Sequence, residues 1–178
     1  MPTVGKVENA PKVYLGIDPG ASGGLAALWA WGTECCTSPM PETETDTWDW
    51  LRTKWGKYEA NPSVATVNIV QRFAIIEKVH AMPGNGVSGT FKFGQNYGFL
   101  RACLIAAGIP FEDVDPRTWQ KALGIPSRKT RSGETKTQWK NRLKAKAQQL
   151  FPSEKVTLAT ADALLIAEYC RRKCEGKL

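Results

Sequence analysis

Apolar positions recur along this chain with two periods, and the changes between them predict its strands and helices. The segment VYLGID at residues 13–18 alternates with a period of two, which predicts a β-strand. A short PGASGG link leads to a second apolar run at residues 25–31, so the two are predicted to pair antiparallel as a hairpin. A third short strand is predicted near residues 33–38.

Helical spacing begins in the acidic stretch after residue 40. Trp48, Leu51 and Trp55 are spaced by 3 and 4, which predicts a helix with one apolar face and its acids in the first turn. The apolar segment RFAIIEKVHAMPG then predicts a fourth strand. Helical spacing returns between Thr90 and Gly108, and the segment IPFEDVD predicts a fifth strand.

The last third of the chain is predicted to be mainly helical. Asp115 and Pro116 are predicted as the N-cap and first residue of a short helix that leads into a basic loop, GIPSRKTRSGE. A helix with a lysine stripe that includes Lys136 and Lys140 follows. The final helix, TLATADALLIAEYCRRK, has Thr157 as its predicted N-cap.

Length and composition fit one α/β domain. The chain has 178 residues, of which 42% are hydrophobic, and it contains neither a repeat nor a linker, so we expect one domain over residues 1–178 with a flexible segment at 1–12. The apolar run at residues 25–31 is far shorter than the roughly 20 residues of a membrane span. We therefore expect an intracellular protein with no membrane partner. Five irregularly spaced cysteines and the single His80 match no common zinc set and indicate reduced thiols.

Positive charge is concentrated in one segment. Residues 117–147 contain ten Lys or Arg and one acid, Glu134, so the net charge of this segment is +9. The whole chain has a net charge of +7, so the remaining residues together carry −2. Such a segment predicts a polyanionic partner, because each neutralised phosphate releases counterions. The alternative is a solvated helix face with a loop and no ligand.

Three carboxylates stand in segments otherwise built for a core. Asp18 ends the first strand, Glu77 lies on the apolar face of the fourth, and Asp162 interrupts the apolar stripe of the last helix. Burial of an unpaired carboxylate costs several kcal/mol or forces its protonation. Taken singly, they also fit a turn acid, a strand-end ion pair and a charge favoured by the helix dipole. Together they predict a Mg²⁺ site, since hard divalent ions bind shells of oxygen ligands.

Four segments resemble the RuvC-type Holliday junction resolvases of the ribonuclease H-like superfamily. They are YLGIDPGASGG, AIIEKV, FKFGQNYGFLRACLIAAGIP and ATADALLIAEY, with VDPRTWQKALG before the last of them. The match extends from Val13 to about Arg172 and is more specific in its order and spacing than any single segment.

The resemblance implies both a fold and an activity. The implied fold is a five-stranded mixed sheet, with its first three strands antiparallel, flanked by helices. The implied protein is a homodimer that nicks opposing strands of a four-way DNA junction and leaves 5′-phosphate and 3′-hydroxyl ends. Asp18 would bridge two Mg²⁺ ions, with Mn²⁺ as an alternative, and Glu77 and Asp162 would complete their shells.

The resemblance is incomplete at one acidic position. Related proteins commonly carry a further acid one helical turn before the last one, whereas this chain has Ala159 there. Leu158 does not replace it, and Glu168 is predicted to point to a different face. Three explanations are open: three acids suffice for the site, a side chain from elsewhere in the protein completes it, or the chain is a weakened or engineered variant.

Several basic residues are candidates for DNA contacts. His80 occupies a position where related proteins can place an aromatic side chain at the junction centre, and a surface histidine without a ligand is the alternative. Candidate contacts to the DNA backbone, which position the substrate without reading its sequence, are Lys78, Arg128, Lys129, Arg131, Lys136 and Lys140.

Other functions fit some of the same residues. The segment IDPGASGG also resembles the first phosphate loop of actin-like ATPases and sugar kinases, but those need a second lobe, and the chain has no P-loop, so no nucleotide cofactor is expected. A junction-binding protein that has lost cleavage and a nuclease for hybrids or flaps remain alternatives. A resolvase would work in the cytoplasm of a bacterial or phage-infected cell, or in an organelle.

Overall fold

The structure, a computed structural model, describes residues 11–32, 34–53, 70–80, 86–126 and 133–178. Its strands are β1 (Lys12–Asp18), β2 (Gly24–Trp29), β3 (Cys35–Pro39), β4 (Gln71–Glu77) and β5 (Phe111–Val114). Its helices are α1 (Glu44–Thr53), α2 (Val87–Ala106), α3 (Pro116–Ala122), α4 (Lys136–Leu150) and α5 (Ala161–Cys174). In the described parts of the chain, no helix has the length and apolar character that a membrane crossing requires.

The strands form one mixed sheet in the order β3-β2-β1-β4-β5. β1 pairs antiparallel with β2, and β2 pairs antiparallel with β3, as the short links between them favour. β4 lies parallel to β1 on its other side, and β5 lies parallel to β4. The predicted five-stranded mixed sheet with three antiparallel strands at its start is confirmed.

The alternation along the strands divides the core between the two faces of the sheet. Val13, Leu15 and Ile17 point to one face and pack in a cluster with residues of α1 and α2. Tyr14 and Ile75 point to the other face and pack with residues of α3, α4 and α5. Asp18 has the same parity as Tyr14, and Glu77 the same parity as Ile75, so both carboxylates belong to the face that α5 covers.

Gly16 allows α5 to lie directly on the centre of the sheet. A Cβ atom at this position would stand 2.0 Å from the carbonyl oxygen of Ala163 and 2.3 Å from the amide nitrogen of Ala167. A side chain therefore does not fit between β1 and α5. The close approach brings the first turn of α5 beside the end of β1, two residues beyond Gly16.

Two helix starts differ in detail from the predictions. α5 begins at Ala161 and not at Thr157. Thr157 instead caps the preceding turn: its hydroxyl accepts a hydrogen bond from the Thr160 amide at 3.2 Å, while the Thr160 hydroxyl accepts one from the Thr157 amide at 3.1 Å. Asp115 is the N-cap of α3 as predicted, but its side chain makes no capping hydrogen bond. Thr33 and Trp55, which belonged to the predicted third strand and first helix, lie outside the described residues.

Candidate active site

Two of the candidate acids stand at the ends of adjacent strands. β1 and β4 run parallel and pair as far as Ile17 with Ile76, so Asp18 and Glu77 follow at the same edge of the sheet. Both side chains belong to the face covered by α5. The parallel register therefore brings together two carboxylates that are 59 residues apart in the sequence.

The third acid comes from the first turn of α5. Asp162 is 6% exposed, and the fit of α5 over Gly16 places it beside the end of β1. One of its oxygens, Oδ2, accepts a hydrogen bond from the ammonium group of Lys140 at 2.5 Å. The other, Oδ1, is buried and has no hydrogen-bond partner among the described residues. A buried carboxylate oxygen without a partner is costly, and a bound cation would compensate for it.

The three carboxylates interact electrostatically. Burial raises the pKa of Asp18 well above its ordinary value, and the charges of Glu77 and Asp162 raise it further. Burial also raises the pKa of Glu77 to about 7, with Asp162 adding to the rise. The structure thus brings Asp18, Glu77 and Asp162 close enough to interact, and their roles as catalytic residues and metal ligands stay a prediction.

Lys140 of α4 lies among the carboxylates. Burial alone would lower the pKa of its ammonium group, but the charges of Asp162, Asp18 and Glu77 raise it above its ordinary value. Lys140 in turn lowers the pKa values of Asp18 and Glu77. The sequence pattern predicts that Lys140 contacts the DNA backbone; its position here favours a role inside the carboxylate cluster.

Trp119 of α3 is a site residue that the sequence pattern does not reveal. Its side chain is fully buried, and its indole Nε1 donates a hydrogen bond to Glu77 Oε2 at 2.8 Å. A donor to the ionised carboxylate favours the charged form, and this contact opposes the rise in the pKa of Glu77. The sequence carries no local signal for the pair, because the two residues are 42 positions apart and on different elements.

Asn96 of α2 holds the turn that follows Asp18. Its side-chain oxygen accepts a hydrogen bond from the Gly20 amide at 2.8 Å. Gly20 has a φ of 101°, a conformation that side-chain-bearing residues rarely adopt. The turn PGASGG is thus tied to the helix beside it, and Asn96 lies within the FKFGQNYGF segment without a local signal that distinguishes it.

The chemistry of the cluster fits a divalent cation. It offers only carboxylate oxygens, one of them buried without a partner among the described residues, and the charges of Glu77 and Asp162 raise the pKa of Asp18. Within the described ranges, however, no three Asp, Glu, His or Cys side chains are spaced as a finished metal shell. The cation that the structure does place among these acids is Lys140. Asp18, Glu77 and Asp162 are the residues that would hold an ion.

Ala159 and Glu168 do not supply a fourth acid. Ala159 lies in the turn before α5, with its carbonyl oxygen 2.5 Å from where a Cβ atom on Gly24 would be. Glu168 is 2% exposed and forms ion pairs of 2.7 Å with both Arg171 and Arg172. The expectation that Glu168 serves another face agrees with these contacts.

The candidate DNA contacts fall into separate groups. Lys78 follows β4 and is exposed, and Lys136 is exposed at the start of α4. His80 is also exposed, but its Nε2 lies 3.0 Å from a carboxylate oxygen of Asp115. The three predicted contacts of the basic loop lie outside the described residues: Arg128, Lys129 and Arg131. Contact of these residues with DNA stays a prediction.

Comparison with solved structures identifies a similar fold. A structure described as T. thermophilus RuvC in complex with Holliday junction substrate matches with a TM-score of 0.52 and 16% identity, over 93% of this chain and 97% of that chain. A second RuvC structure from Thermus thermophilus matches with a TM-score of 0.49 and 17% identity, over 93% of this chain and 97% of that one. No protein-family model matches the sequence, and the comparison with curated proteins gives no significant match.

At 16% identity the likeness concerns the fold. The predicted class, a ribonuclease H-like α/β fold with a five-stranded mixed sheet and flanking helices, is confirmed. A shared fold does not define the activity or the ligands of this chain, which depend on its own residues.

Proposed function

We propose that this protein is a metal-dependent endonuclease that resolves four-way DNA junctions. The observation that carries the proposal is the convergence of Asp18, Glu77 and Asp162 at one edge of the sheet, in a fold similar to that of a RuvC bound to junction DNA. The family assignment suggested by the sequence motifs is part of the same proposal.

The chemistry proposed is hydrolysis of a phosphodiester bond. Mg²⁺ or Mn²⁺ held by Asp18, Glu77 and Asp162 would activate water and stabilise the leaving oxygen, leaving 5′-phosphate and 3′-hydroxyl ends. The carboxylates must be ionised to bind a cation. Trp119 supports this requirement by hydrogen bonding to the charged form of Glu77, whose pKa burial otherwise raises to about 7.

The basic segment at residues 117–147 is the proposed DNA-binding region. It carries ten Lys or Arg against one acid, and it includes Lys140, which reaches the carboxylate cluster. Arg142 is bound to Glu134 through two hydrogen bonds of 2.9 and 2.8 Å, so these two charges are internally paired. The other Lys and Arg residues of the segment, together with Lys78 directly after β4, are proposed to contact phosphates.

The outer face of α2 is the proposed homodimer surface. Six exposed or partly exposed apolar or small residues form one stripe along it: Val87, Phe91, Gly94, Gly98, Ala102 and Ile105. Apart from the adjoining residues and the nearby backbone of α2 itself, no atom of the described residues lies within 4 Å of the position that a Cβ atom would take on either glycine of the stripe. A glycine inside a helix costs about 1 kcal/mol relative to alanine, and internal packing does not require these two. Close approach of a second copy's backbone would account for them.

A panel of substrates tests the proposed function. Full-length protein is incubated with Mg²⁺ or with a chelator and an end-labelled four-way junction, a matched duplex or a matched RNA–DNA hybrid. We expect cuts in the junction with Mg²⁺ and none with the chelator. Preferred cutting of the hybrid would replace the resolvase with a ribonuclease H-like activity.

The same panel addresses the loss of an acid at position 159. Tight junction binding with no cuts by the wild type, restored by Ala159→Asp, would identify a disabled nuclease. If neither protein cuts any substrate while both bind the junction, the protein is a junction-binding module and the proposed enzymatic function is wrong.

A further inference from the structure

Lys140 has an unusual position for a basic residue on a predicted DNA-binding helix. Its ammonium group lies 2.5 Å from Asp162 Oδ2, and its side chain is 34% exposed while that of Asp162 is 8% exposed. It also interacts with Asp18 and Glu77, whose charges raise its pKa. One lysine of α4 thus forms an ion pair with Asp162 and interacts through its charge with Asp18 and Glu77.

The charges of the cluster balance with one divalent ion. When a cation is bound the three carboxylates are ionised and carry −3, and Lys140 reduces this to −2. One Mg²⁺ or Mn²⁺ neutralises the remainder, whereas a second divalent ion would leave an excess of +2 in a partly buried site, where unbalanced charge is costly. The alanine at position 159 supplies no further negative charge to offset it.

The two oxygens of Asp162 also fit one lysine and one metal ion. Oδ2 is taken by Lys140, whereas Oδ1 is buried and lacks a hydrogen-bond partner among the described residues. Asp162 therefore has one oxygen left for a cation, on a carboxylate already held in place by the lysine. A metal ion and Lys140 can then bind the same carboxylate without competing for one oxygen.

We infer that Lys140 takes the place of a second metal ion, so that each chain binds a single divalent cation. This rests on the proposed function in treating the three acids as a metal site, and it replaces the two ions that the family resemblance implies. Alternatively, the ion pair between Lys140 and Asp162 only stabilises the packing of α4 against α5. That role would leave the number of bound ions independent of the lysine charge.

Counting bound Mn²⁺ distinguishes these roles. Free Mn²⁺ is followed by electron paramagnetic resonance during titration of the full chain, for the wild type and Lys140→Met. We expect one tightly bound ion per wild-type chain. We expect Lys140→Met to bind a second Mn²⁺ ion and to bind the first at least about tenfold more tightly, because a positive charge a few ångströms away has been removed.

Lys144→Met is the matched control, since it removes the same charge one turn further along α4. It should leave both the number of ions and the affinity unchanged. If Lys140→Met does not fold, as judged by circular dichroism, Lys140→Gln is used in its place, because it keeps a polar side chain without the charge. Two tightly bound ions in the wild type, or no second ion after removal of the Lys140 charge, would overturn the inference.

Junction cleavage measured on the same samples separates this inference from the proposed function. Cleavage with two Mn²⁺ ions per chain would overturn the inference and leave the function intact. One ion per chain with the expected response of Lys140→Met, but no cleavage, would support the inference and contradict the function. A protein that binds no Mn²⁺ in any variant would contradict both.

Discussion

At the scale of single residues, the site depends on charges placed where a core would otherwise exclude them. Asp18, Glu77 and Asp162 could be predicted from the sequence because each interrupts an apolar pattern. The contacts of Trp119 and Lys140 could not, because they join elements 42 and 22 residues apart, and neither residue departs from its local pattern. A tryptophan on a short helix predicts only burial, and a lysine in a stripe predicts only a solvated face.

Substitution of the strand-end acids should separate catalysis from binding. Asp18→Asn and Glu77→Gln remove a ligand charge with little change in shape, so we expect junction cleavage to fall below detection. Binding to the junction, measured in a chelator by gel shift, should stay within a few-fold of wild type, because the DNA affinity is assigned to the basic segment. Cleavage by either variant at the wild-type rate would show that the acids are wrongly assigned.

The raised pKa of Glu77 predicts a specific pH dependence of stability. Between its ordinary pKa of 4.5 and about 7, the folded protein binds a proton at Glu77 that the unfolded chain releases. The contribution of Glu77 to the free energy of unfolding is therefore fully present below pH 4.5 and is lost as the pH rises through about 7. In a chelator, Glu77→Gln should lack this part of the decline.

Thermal unfolding of both proteins at a series of pH values measures the difference. Trp119→Phe provides a second check, because loss of the indole donor to the charged carboxylate should move the end of the decline to higher pH. Parallel stability profiles for the wild type and Glu77→Gln would contradict the raised pKa assigned to this partly buried carboxylate.

At the scale of elements, the local patterns of apolar and polar residues were enough to predict most of the strands and helices. The short PGASGG link predicted the β1–β2 hairpin, and helical spacing predicted the existence of α2, α4 and α5. The exact start of α5 could not be predicted from the sequence, because Thr157 and Thr160 form a capped turn whose sequence resembles a helix start. The close packing of α5 on Gly16 was also not predictable, since the contact joins residues about 150 positions apart.

The exposed stripe on α2 predicts opposite effects on helix stability and on dimer formation. Gly94→Ala and Gly98→Ala should each stabilise the isolated chain by about 1 kcal/mol through helix propensity. They should also weaken the dimer at least several-fold, because each methyl group would obstruct close helix contact. Gly89→Ala makes the same change on the opposite face of α2 and serves as the control.

Sedimentation equilibrium and chemical denaturation measure the two effects separately. A dimer that both stripe variants leave as stable as the wild-type dimer would exclude this face of α2 as the interface. Gly89→Ala should raise the stability of the chain without changing its association.

At the scale of the whole molecule, two properties combine in the proposed function. The sheet brings two strand-end acids to one edge, and the basic segment that supplies Lys140 carries a net charge of +9, more than the +7 of the whole chain. The mixed sheet was an expectation from the family resemblance, whereas the apolar segments themselves predicted the β1–β2 hairpin and an α/β domain. A homodimer would place two such edges on one DNA junction, which is the arrangement that paired nicking requires.

The most direct test of this function uses a supercoiled plasmid with an extruded cruciform, incubated with Mg²⁺ and either the wild type or Asp18→Asn. Two nicks made across the junction in one binding event convert the plasmid to a linear molecule, whereas unpaired nicks give open circles. We predict mainly linear product for the wild type and unchanged supercoiled plasmid for Asp18→Asn. Open circles alone, or intact supercoiled plasmid with the wild type, would contradict a paired junction nuclease.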